Sequence, residues 1–360
     1  MHLSHDIGTD NTRVLEHNAL RYALAPARDC CKLPRMADAN AAARAALESA
    51  IAGHPAPDLA GLLSRRGLGA YGDYAATLRR ILALADGGAG MELLGKSVRG
   101  EPLVCVRIGP PDAPVSALLA GLHPTEWIGV ETGLRILENW LGEPASDRQV
   151  VAFPLANPDG VLQVQDNLLG GVRRFVRHNA RGVDLNRNFP SFWGANTFAQ
   201  RVLRRTFAGG SGPASEPEVR AIVQRLSSLP VDRALSLHSF GGVVLFPYGA
   251  MRTRPVEHAA LEAWARRVAA AARPKRGYRA VQSARWVPGF TARGMELDYF
   301  YERFGALSLL IECSKGGVLA DPWRPSVWRE PFAWFNPTDL EATVAPVASA
   351  ALPFLAGDPL

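Results

Sequence analysis

The feature that most constrains the fold is a repeated alternation of short apolar runs with helix-like segments. Four of the apolar runs have the length of strands: Val115–Leu122, Gln149–Pro154, Arg233–Leu237 and Leu307–Ile311. Segments with apolar residues at helical spacing lie between or after them: Trp127–Leu141, Glu216–Ser227, Glu257–Ala272 and Pro337–Ala351. Strands that are apolar throughout are buried on both faces. The pattern therefore predicts an α/β fold with a largely parallel or mixed sheet between helices.

The first 56 residues lack this alternation, and we interpret residues 1–56 as an N-terminal extension of unknown role. The extension is partly helical, since Ala37–Ala52 carries apolar residues at helical spacing. His54-Pro-Ala-Pro57 then interrupts regular structure, because proline fixes φ and lacks a backbone donor. We expect residues 57–360 to form the catalytic domain, and Met36 is an alternative to Met1 as the true start.

Charge and hydropathy exclude two classes of partner. The chain of 360 residues has 40 Lys and Arg against 34 Asp and Glu, a net charge of +6. The basic residues form no dense block with interleaved aromatic residues, so we expect no nucleic-acid partner. No segment approaches the ~20 apolar residues that cross a bilayer, so we expect no membrane partner. The sequence does not indicate an oligomeric state.

The cysteines and the first residues bear on the compartment. Four cysteines give no disulfide framework. The first ten residues lack the charged and apolar regions of a secretory signal. We therefore expect a cytoplasmic location, where thiols stay reduced.

Polar side chains follow each of the four buried strands at the point where the strand ends. His123 and Glu126 follow the first strand, Asn157-Pro-Asp-Gly160 the second, His238 the third and Glu312 the fourth. In open α/β sheets ligands bind beyond the carboxyl ends of strands. We expect these four groups to face one pocket.

Three of these residues are of the types that bind zinc. His123 and Glu126 form an H-x-x-E pattern at a strand-to-helix turn, and His238 is the natural distant third ligand. Catalytic zinc is held by three nitrogen or oxygen ligands and keeps one open position. Glu312, on a buried strand, is either the partner of an arginine or the general base toward zinc-bound water.

The segment from Arg177 to Pro190 carries groups that suit a peptide substrate. Arg187 beside Asn186 offers a guanidinium fork and an amide, which fit a carboxylate. Arg177 is a candidate donor to a developing oxyanion.

With these residues in place, the sequence resembles the zinc metallocarboxypeptidases, the family that includes the digestive carboxypeptidases. The matching motifs stand in the same order along the chain: Gly95-Lys-Ser-Val-Arg-Gly-Glu-Pro102, His123-Pro-Thr-Glu126, Asn157-Pro-Asp-Gly160, Arg177-His-Asn179, Gly182-Val-Asp-Leu-Asn-Arg-Asn-Phe189, Leu237-His-Ser-Phe240 running to Phe246-Pro-Tyr-Gly249, and Ile311-Glu312. The resemblance implies a mixed, twisted eight-stranded sheet sandwiched between helices. It also implies one zinc ion per chain.

The resemblance further implies a role for each matched residue. His123, Glu126 and His238 correspond to the zinc ligands, and Glu312 to the general base that later protonates the leaving amine. Arg177 corresponds to the arginine that polarises the scissile carbonyl. Asn186 and Arg187 correspond to the pair that binds the terminal carboxylate. Asp184 corresponds to a carboxylate that orients a zinc-ligating histidine.

The segment around residues 290–298 departs from the family pattern. The tyrosine that closes over the terminal carboxylate in the digestive enzymes is Phe290 here, so a hydroxyl donor is missing. Tyr299, Tyr301 or Arg293 are candidate substitutes. Leu297 aligns with the base of the specificity pocket and favours an apolar terminal side chain, whereas Arg293 and Glu296 favour a charged one. Thr125 also stands where the digestive enzymes carry an arginine.

The expected partner is a small peptide with a free C-terminal carboxylate. The compact motif ending in Asn186-Arg-Asn-Phe189 looks most like that of bacterial murein-peptide amidases, which release diaminopimelate from γ-D-glutamyl peptides. The alternatives are a carboxypeptidase for ordinary or modified peptides, including a deglutamylase-like one, an aspartoacylase-like deacylase, and a catalytically silent binding module.

Overall fold

The computed structural model describes residues 36–360 except 56, 143–146, 195–201, 204, 273–276, 317–322 and 324–327. The strands are β1 (Gly90–Lys96), β2 (Pro102–Ile108), β3 (Val115–Ala120), β4 (Gln149–Phe153), β5 (Val231–His238), β6 (Val243–Phe246), β7 (Arg279–Gln282) and β8 (Leu307–Glu312). The helices are α1 (Met36–Gly53), α2 (Leu59–Arg65), α3 (Tyr74–Asp86), α4 (Trp127–Gly142), α5 (Pro158–Leu169), α6 (Pro217–Leu226), α7 (His258–Ala271), α8 (Ser283–Trp286), α9 (Glu296–Phe304), α10 (Pro331–Phe335) and α11 (Glu341–Ala356).

The strands form one mixed eight-stranded sheet in the order β1-β2-β4-β3-β5-β8-β6-β7. The four central strands, β4, β3, β5 and β8, run parallel to one another. β1, β2 and β6 bring antiparallel pairings to the flanks. The predicted mixed sheet between helices is confirmed, and the parallel centre has its carboxyl ends along one edge.

Two apolar layers cover the two faces of the sheet, as the continuous apolar strands predict. Along β3, Leu118 packs in one buried cluster with residues of α4, α7 and α11. Its neighbours Ala117 and Leu119 pack in a second cluster with α6 and α9. This alternation follows from the two-residue period of a strand, whose side chains point to opposite faces in turn.

Two elements near the site are absent from the sequence prediction. Helix α5 follows Asn157-Pro-Asp-Gly160, where Asn157 caps the helix by accepting a hydrogen bond from Gly160 N (3.1 Å). Helix α9 begins at Glu296 and ends at Phe304, with Gly305 as its C-cap. Strand β7 was also not predicted, since it is a short edge strand with mostly exposed or half-buried residues.

The compact unit of the described chain spans Met36–Leu360 and includes helix α1, which the sequence analysis assigned to the extension. The backbone N–H of Met91 in β1 donates to the Asn40 side chain in α1 at 2.6 Å. Ala43 and Leu47 of the same helix are buried in the core. The other residues of the proposed extension, 1–35, lie outside the described residues. Among the described helices, none has the length and hydropathy of a membrane span.

Candidate active site

The carboxyl ends of the parallel strands bring the candidate residues to one edge of the sheet. His238 and Glu312 are the last residues of β5 and β8 and are direct register partners. His123 lies three residues beyond the end of β3, the neighbour of β5 on its other side. All three side chains are buried.

The loop that carries His123 and Glu126 is held from two directions. Asn157 donates a side-chain hydrogen bond to Leu122 O (3.2 Å). A Cβ on Gly160 would lie 2.7 Å from the Pro124 ring, so only glycine allows α5 to pack this closely. The Asn157-Pro-Asp-Gly160 motif therefore supports the loop that carries His123 and Glu126.

The second support of this loop comes from a distant part of the chain that sequence reasoning missed. Asn336 donates to Thr125 O (2.7 Å) and accepts from Ile128 N (3.0 Å), on the two sides of Glu126. Thr125 itself exchanges hydrogen bonds with the backbone of Val176, so it fastens the segment that leads to Arg177. Asn336 follows α10, a short apolar helix whose sequence does not indicate a functional site.

His123, Glu126 and His238 converge on one point. Glu126 places one oxygen 2.9 Å from His123 Nδ1 and the other 3.0 Å from His238 Nδ1, and the two Nδ1 atoms are 3.1 Å apart. One potential ligand atom from each residue lies within 4.8 Å of the others. Two imidazole nitrogens and a carboxylate facing one buried point form a donor set that fits a zinc ion with one position open.

The far side of the His123 ring meets a buried carboxylate. Its Nε2 lies 3.1 Å from Asp184 Oδ1, while Arg177 Nε donates to Asp184 Oδ2 at 2.8 Å. Burial acts to raise the pKa of Asp184, but the guanidinium groups of Arg177 and Arg187 outweigh it and hold that pKa well below its usual range. Asp184 is therefore a fixed negative charge that orients His123.

Glu312 is buried and keeps one oxygen, Oε2, without a hydrogen-bond partner in the described part of the chain. Burial, together with the neighbouring Glu126 carboxylate, raises the pKa of Glu312. A carboxylate of raised pKa with an uncommitted oxygen beside a metal-binding cluster can accept and return a proton.

Asn186 and Arg187 lie on a single 3-10 turn, Leu185–Arg187, which Asp184 caps by accepting from Asn186 N (3.0 Å). Arg187 is buried, and its Nε has no hydrogen-bond partner among the residues described. A buried guanidinium N–H without a partner suits an anionic ligand group.

Phe207 is a second residue that sequence reasoning missed. Its ring centroid lies 5.5 Å from Arg177 Cζ and 5.2 Å from Arg187 Cζ, within cation–π range of both. It also contacts Phe290, with the ring centroids 5.4 Å apart. Nothing in the sequence around Phe207 signals this position, because it follows a segment without periodicity.

Two of the residues proposed to replace the missing tyrosine hydroxyl, Tyr299 and Tyr301, make other contacts. Tyr299 is buried in an aromatic cluster with Phe189 and Phe300. The Tyr301 hydroxyl is hydrogen-bonded to Glu257 and Val256 N. Phe290 contacts Phe207, whose ring in turn lies against both Arg177 and Arg187.

The segment of residues 290–298 contains both apolar and charged side chains. Leu297 is fully buried in a small cluster with Val243, Leu245 and Leu310. Arg293 is half-buried. Glu296 is fully buried and directs Oε1 to His238 Nε2 at 3.0 Å.

The zinc carboxypeptidase family model matches residues 78–333. Among curated proteins, carboxypeptidase O of Bos taurus is 28% identical over 210 residues, which cover 53% of this chain and 56% of the relative. Carboxypeptidase A2 of Mus musculus is 30% identical over 190 residues, which cover 49% of this chain and 45% of the relative. The chain thus spans about half the length of these curated relatives.

Solved structures show the same fold. The carboxypeptidase A from Helicoverpa armigera superposes with a TM-score of 0.60 at 21% identity, covering 89% of this chain and 82% of that one. Bovine thrombin-activatable fibrinolysis inhibitor superposes with a TM-score of 0.61 at 21% identity, covering 79% and 95%. Since the family model matches well over half of the sequence, the chain belongs to the zinc carboxypeptidase family.

Proposed function

We propose that this protein hydrolyses the C-terminal amide bond of peptides with a zinc ion held by His123, Glu126 and His238. The observation that carries the proposal is the convergence of these three side chains beside Glu312, whose strand is paired in register with that of His238. A zinc ion held there supplies Lewis acidity that makes a neighbouring water nucleophilic near neutral pH.

The buried arginines supply substrate binding in this proposal. Arg187 and Asn186 bind the terminal carboxylate of the peptide, since the unpartnered Nε of Arg187 is a charged donor in a buried site. Arg177 stays oriented by Asp184 and donates to the oxyanion that forms on the scissile carbonyl. The resulting substrate is a peptide with a free C-terminal carboxylate.

Glu312 moves the proton in this reaction. Its carboxylate accepts a proton from the attacking water at Oε2, the oxygen without a partner in the described residues, and then gives it to the departing amine nitrogen. The positive charge of Arg177 acts against the effect of burial and favours the carboxylate form, and a bound metal would add to it.

A finer proposal concerns the residue that is released. Glu296 Oε2 is buried without a partner among the described residues and lies next to Leu297 in sequence. A buried carboxylate oxygen without a partner favours a substrate whose last side chain carries an ammonium group, as diaminopimelate does. This supports release of diaminopimelate from γ-D-glutamyl murein peptides; the apolar cluster around Leu297 supports ordinary peptides with an apolar last residue. A cytoplasmic location stays a prediction from the cysteine content.

Mass spectrometry of the products tests both the proposed reaction and the proposed identity of the released residue. The zinc-loaded protein is incubated with L-Ala-γ-D-Glu-meso-diaminopimelate, with a library of L-peptides, and with the same library amidated at the C-terminus. We expect loss of single C-terminal residues from free peptides and none from amidated ones. Equal cleavage of the amidated library would contradict the role of Arg187. Release of diaminopimelate with an untouched library would select the murein substrate, and trimmed library peptides would select the ordinary one.

A further inference from the structure

We propose that Glu296 positions His238 for metal binding, in the way that Asp184 positions His123. The inference rests on the proposed metal site. Both histidines turn the same ring atom, Nδ1, toward the centre of the cluster, where the two atoms lie 3.1 Å apart. Both turn the opposite atom, Nε2, onto a fully buried carboxylate: Asp184 at 3.1 Å and Glu296 at 3.0 Å.

The chemistry of imidazole explains why such an arrangement matters. A neutral histidine binds a metal through the ring nitrogen that carries no proton, and the hydrogen bond made by the other nitrogen decides which one that is. An acceptor at Nε2 holds the proton there and leaves the lone pair of Nδ1 for the ion. It also fixes the plane of the ring and makes the ligand nitrogen more basic.

Glu296 is the acceptor that the structure offers to His238. Asn186 also approaches His238 Nε2, but through its Nδ2 at 3.5 Å, and an amide nitrogen donates and cannot accept the proton. A carboxylate oxygen accepts a hydrogen bond from an N–H more strongly than a neutral acceptor does.

The backbone around Glu296 is fixed tightly enough to aim the side chain. Glu296 N donates to Asn186 Oδ1 at 3.3 Å. Gly294 has a φ of +73°, and a Cβ there would lie 2.3 Å from Arg187 O. The loop before α9 therefore packs directly on the 3-10 turn Leu185–Arg187. Two residues later, in the first turn of the same helix, Asp298 accepts from Gly249 N (2.8 Å) and Ala250 N (2.9 Å). The Phe246-Pro-Tyr-Gly249 motif therefore fixes α9, and α9 fixes Glu296.

The two carboxylates differ in how firmly they are held. Asp184 is bonded on both oxygens, by His123 and Asn186 N on one and Arg177 on the other. Among the described residues, Glu296 makes a side-chain hydrogen bond through one oxygen, to His238. Substitution of Glu296 removes this hydrogen bond and also the electrostatic interaction of Glu296 with Arg187.

The test measures zinc affinity rather than activity. Metal-free wild type, Glu296→Gln, Glu296→Ala and Glu302→Ala compete for zinc with a chromophoric chelator. Glu302 is the matched control, because it lies on the same helix and contacts Tyr248 (2.7 Å) rather than a histidine of the cluster. We expect Glu296→Ala to bind zinc roughly 10- to 100-fold more weakly than wild type, as for other carboxylate partners of ligating histidines. Glu296→Gln, whose amide oxygen still accepts, should lose less, and Glu302→Ala should match wild type.

A second measurement shows which nitrogen of the His238 ring carries the proton. In protein labelled with 15N-histidine, the zinc-loaded wild type should show a protected Nε2–H resonance for His238. Glu296→Gln should keep that resonance and Glu296→Ala should lose it. If Glu296→Ala does not fold, the wild type and Glu296→Gln spectra decide alone: a proton on Nδ1 of His238, with the metal on Nε2, would overturn the proposal.

The outcomes separate this proposal from the proposed function. A wild type that binds no zinc overturns both. A wild type that binds zinc, with Glu296→Ala equal to it in affinity, overturns only the positioning role. A change confined to the preference for cationic last residues, without a change in zinc affinity, would make Glu296 a substrate-binding residue and would also overturn it.

Discussion

His238 and Glu312 are register partners at the last residues of two adjacent parallel strands, β5 and β8. The position of each is therefore set by the sheet and not by a flexible loop. A proposed zinc ligand and a proposed base held in this way keep their separation when a substrate binds, which is the rigid placement that proton transfer near a metal needs.

The two arginines of the site should affect different kinetic constants. Arg187→Lys replaces a fork-shaped donor with a point charge and should raise KM about 10- to 100-fold for peptides with a free carboxylate, since a hydrogen bond to a charged group contributes about 1.5–3 kcal/mol. Arg177→Lys should instead lower kcat about 10²-fold or more, because its donor acts on the oxyanion. Steady-state kinetics on one peptide series separates the two, and the opposite split would exchange the proposed roles.

Phe207 should organise the arginine pair without touching the metal cluster. Replacing it with alanine removes two cation–π contacts, each of about 0.5–1 kcal/mol, and should raise KM by roughly 5- to 30-fold with zinc affinity unchanged. Phe304→Leu is the control, since its ring contacts only Tyr299 among the aromatic pairs of the described residues. Equal kinetics of Phe207→Ala and wild type would show that the ring does not hold the guanidinium groups.

Asn336 should matter for stability because it satisfies two buried backbone groups around Glu126. Asn336→Ala leaves Thr125 O and Ile128 N without this partner and should lower the free energy of unfolding by about 2–4 kcal/mol. Asn167→Ala is the matched control, because the Asn167 side-chain nitrogen has no partner in the described residues. Denaturant unfolding compares the two variants, and equal losses would contradict the supporting role of Asn336.

The two described cysteines, Cys105 and Cys313, should be unreactive toward thiol reagents in the folded protein. Burial raises the pKa of Cys105 to about 12 and also raises the pKa of Cys313. Because the thiolate is the reactive form, a disulfide reagent at pH 8 should modify neither in a Cys30→Ser, Cys31→Ser variant. Both thiols should react after unfolding. Rapid modification of the native variant would mean that the structure around Cys105 or Cys313 opens readily.

The approximate positions of the proposed zinc ligands and of the proposed base could be predicted from the sequence, because they follow short apolar strands. His123, His238 and Glu312 follow such strands, and parallel strands share one functional edge. Arg177, Asn186 and Arg187 were candidates because their side chains suit a peptide substrate, and the motif order then implied a role for each. The central strands could be predicted for the same reason, since apolar runs of five to eight residues bounded by polar ones leave few alternatives.

The residues that sequence reasoning missed act through tertiary contacts with no local signal. Asn336 reaches the loop of Glu126 from more than two hundred positions away. The direction of Glu296 depends on the start of a helix that the pattern did not predict, so it was read only as a candidate for substrate binding. Tyr299, one of the suggested substitutes for the missing hydroxyl, is buried because helical spacing turns it into the core.

The central claim is that Glu312 acts on a water activated by the metal that His123, Glu126 and His238 bind. Zinc content and peptide hydrolysis, measured on the same preparations of wild type, Glu312→Gln and His123→Ala, test it most directly. We expect one zinc per chain in wild type and in Glu312→Gln, hydrolysis at least ~10²-fold slower in Glu312→Gln, and loss of both zinc and activity in His123→Ala. Near-normal turnover by Glu312→Gln, or full zinc retention by His123→Ala, would contradict the account.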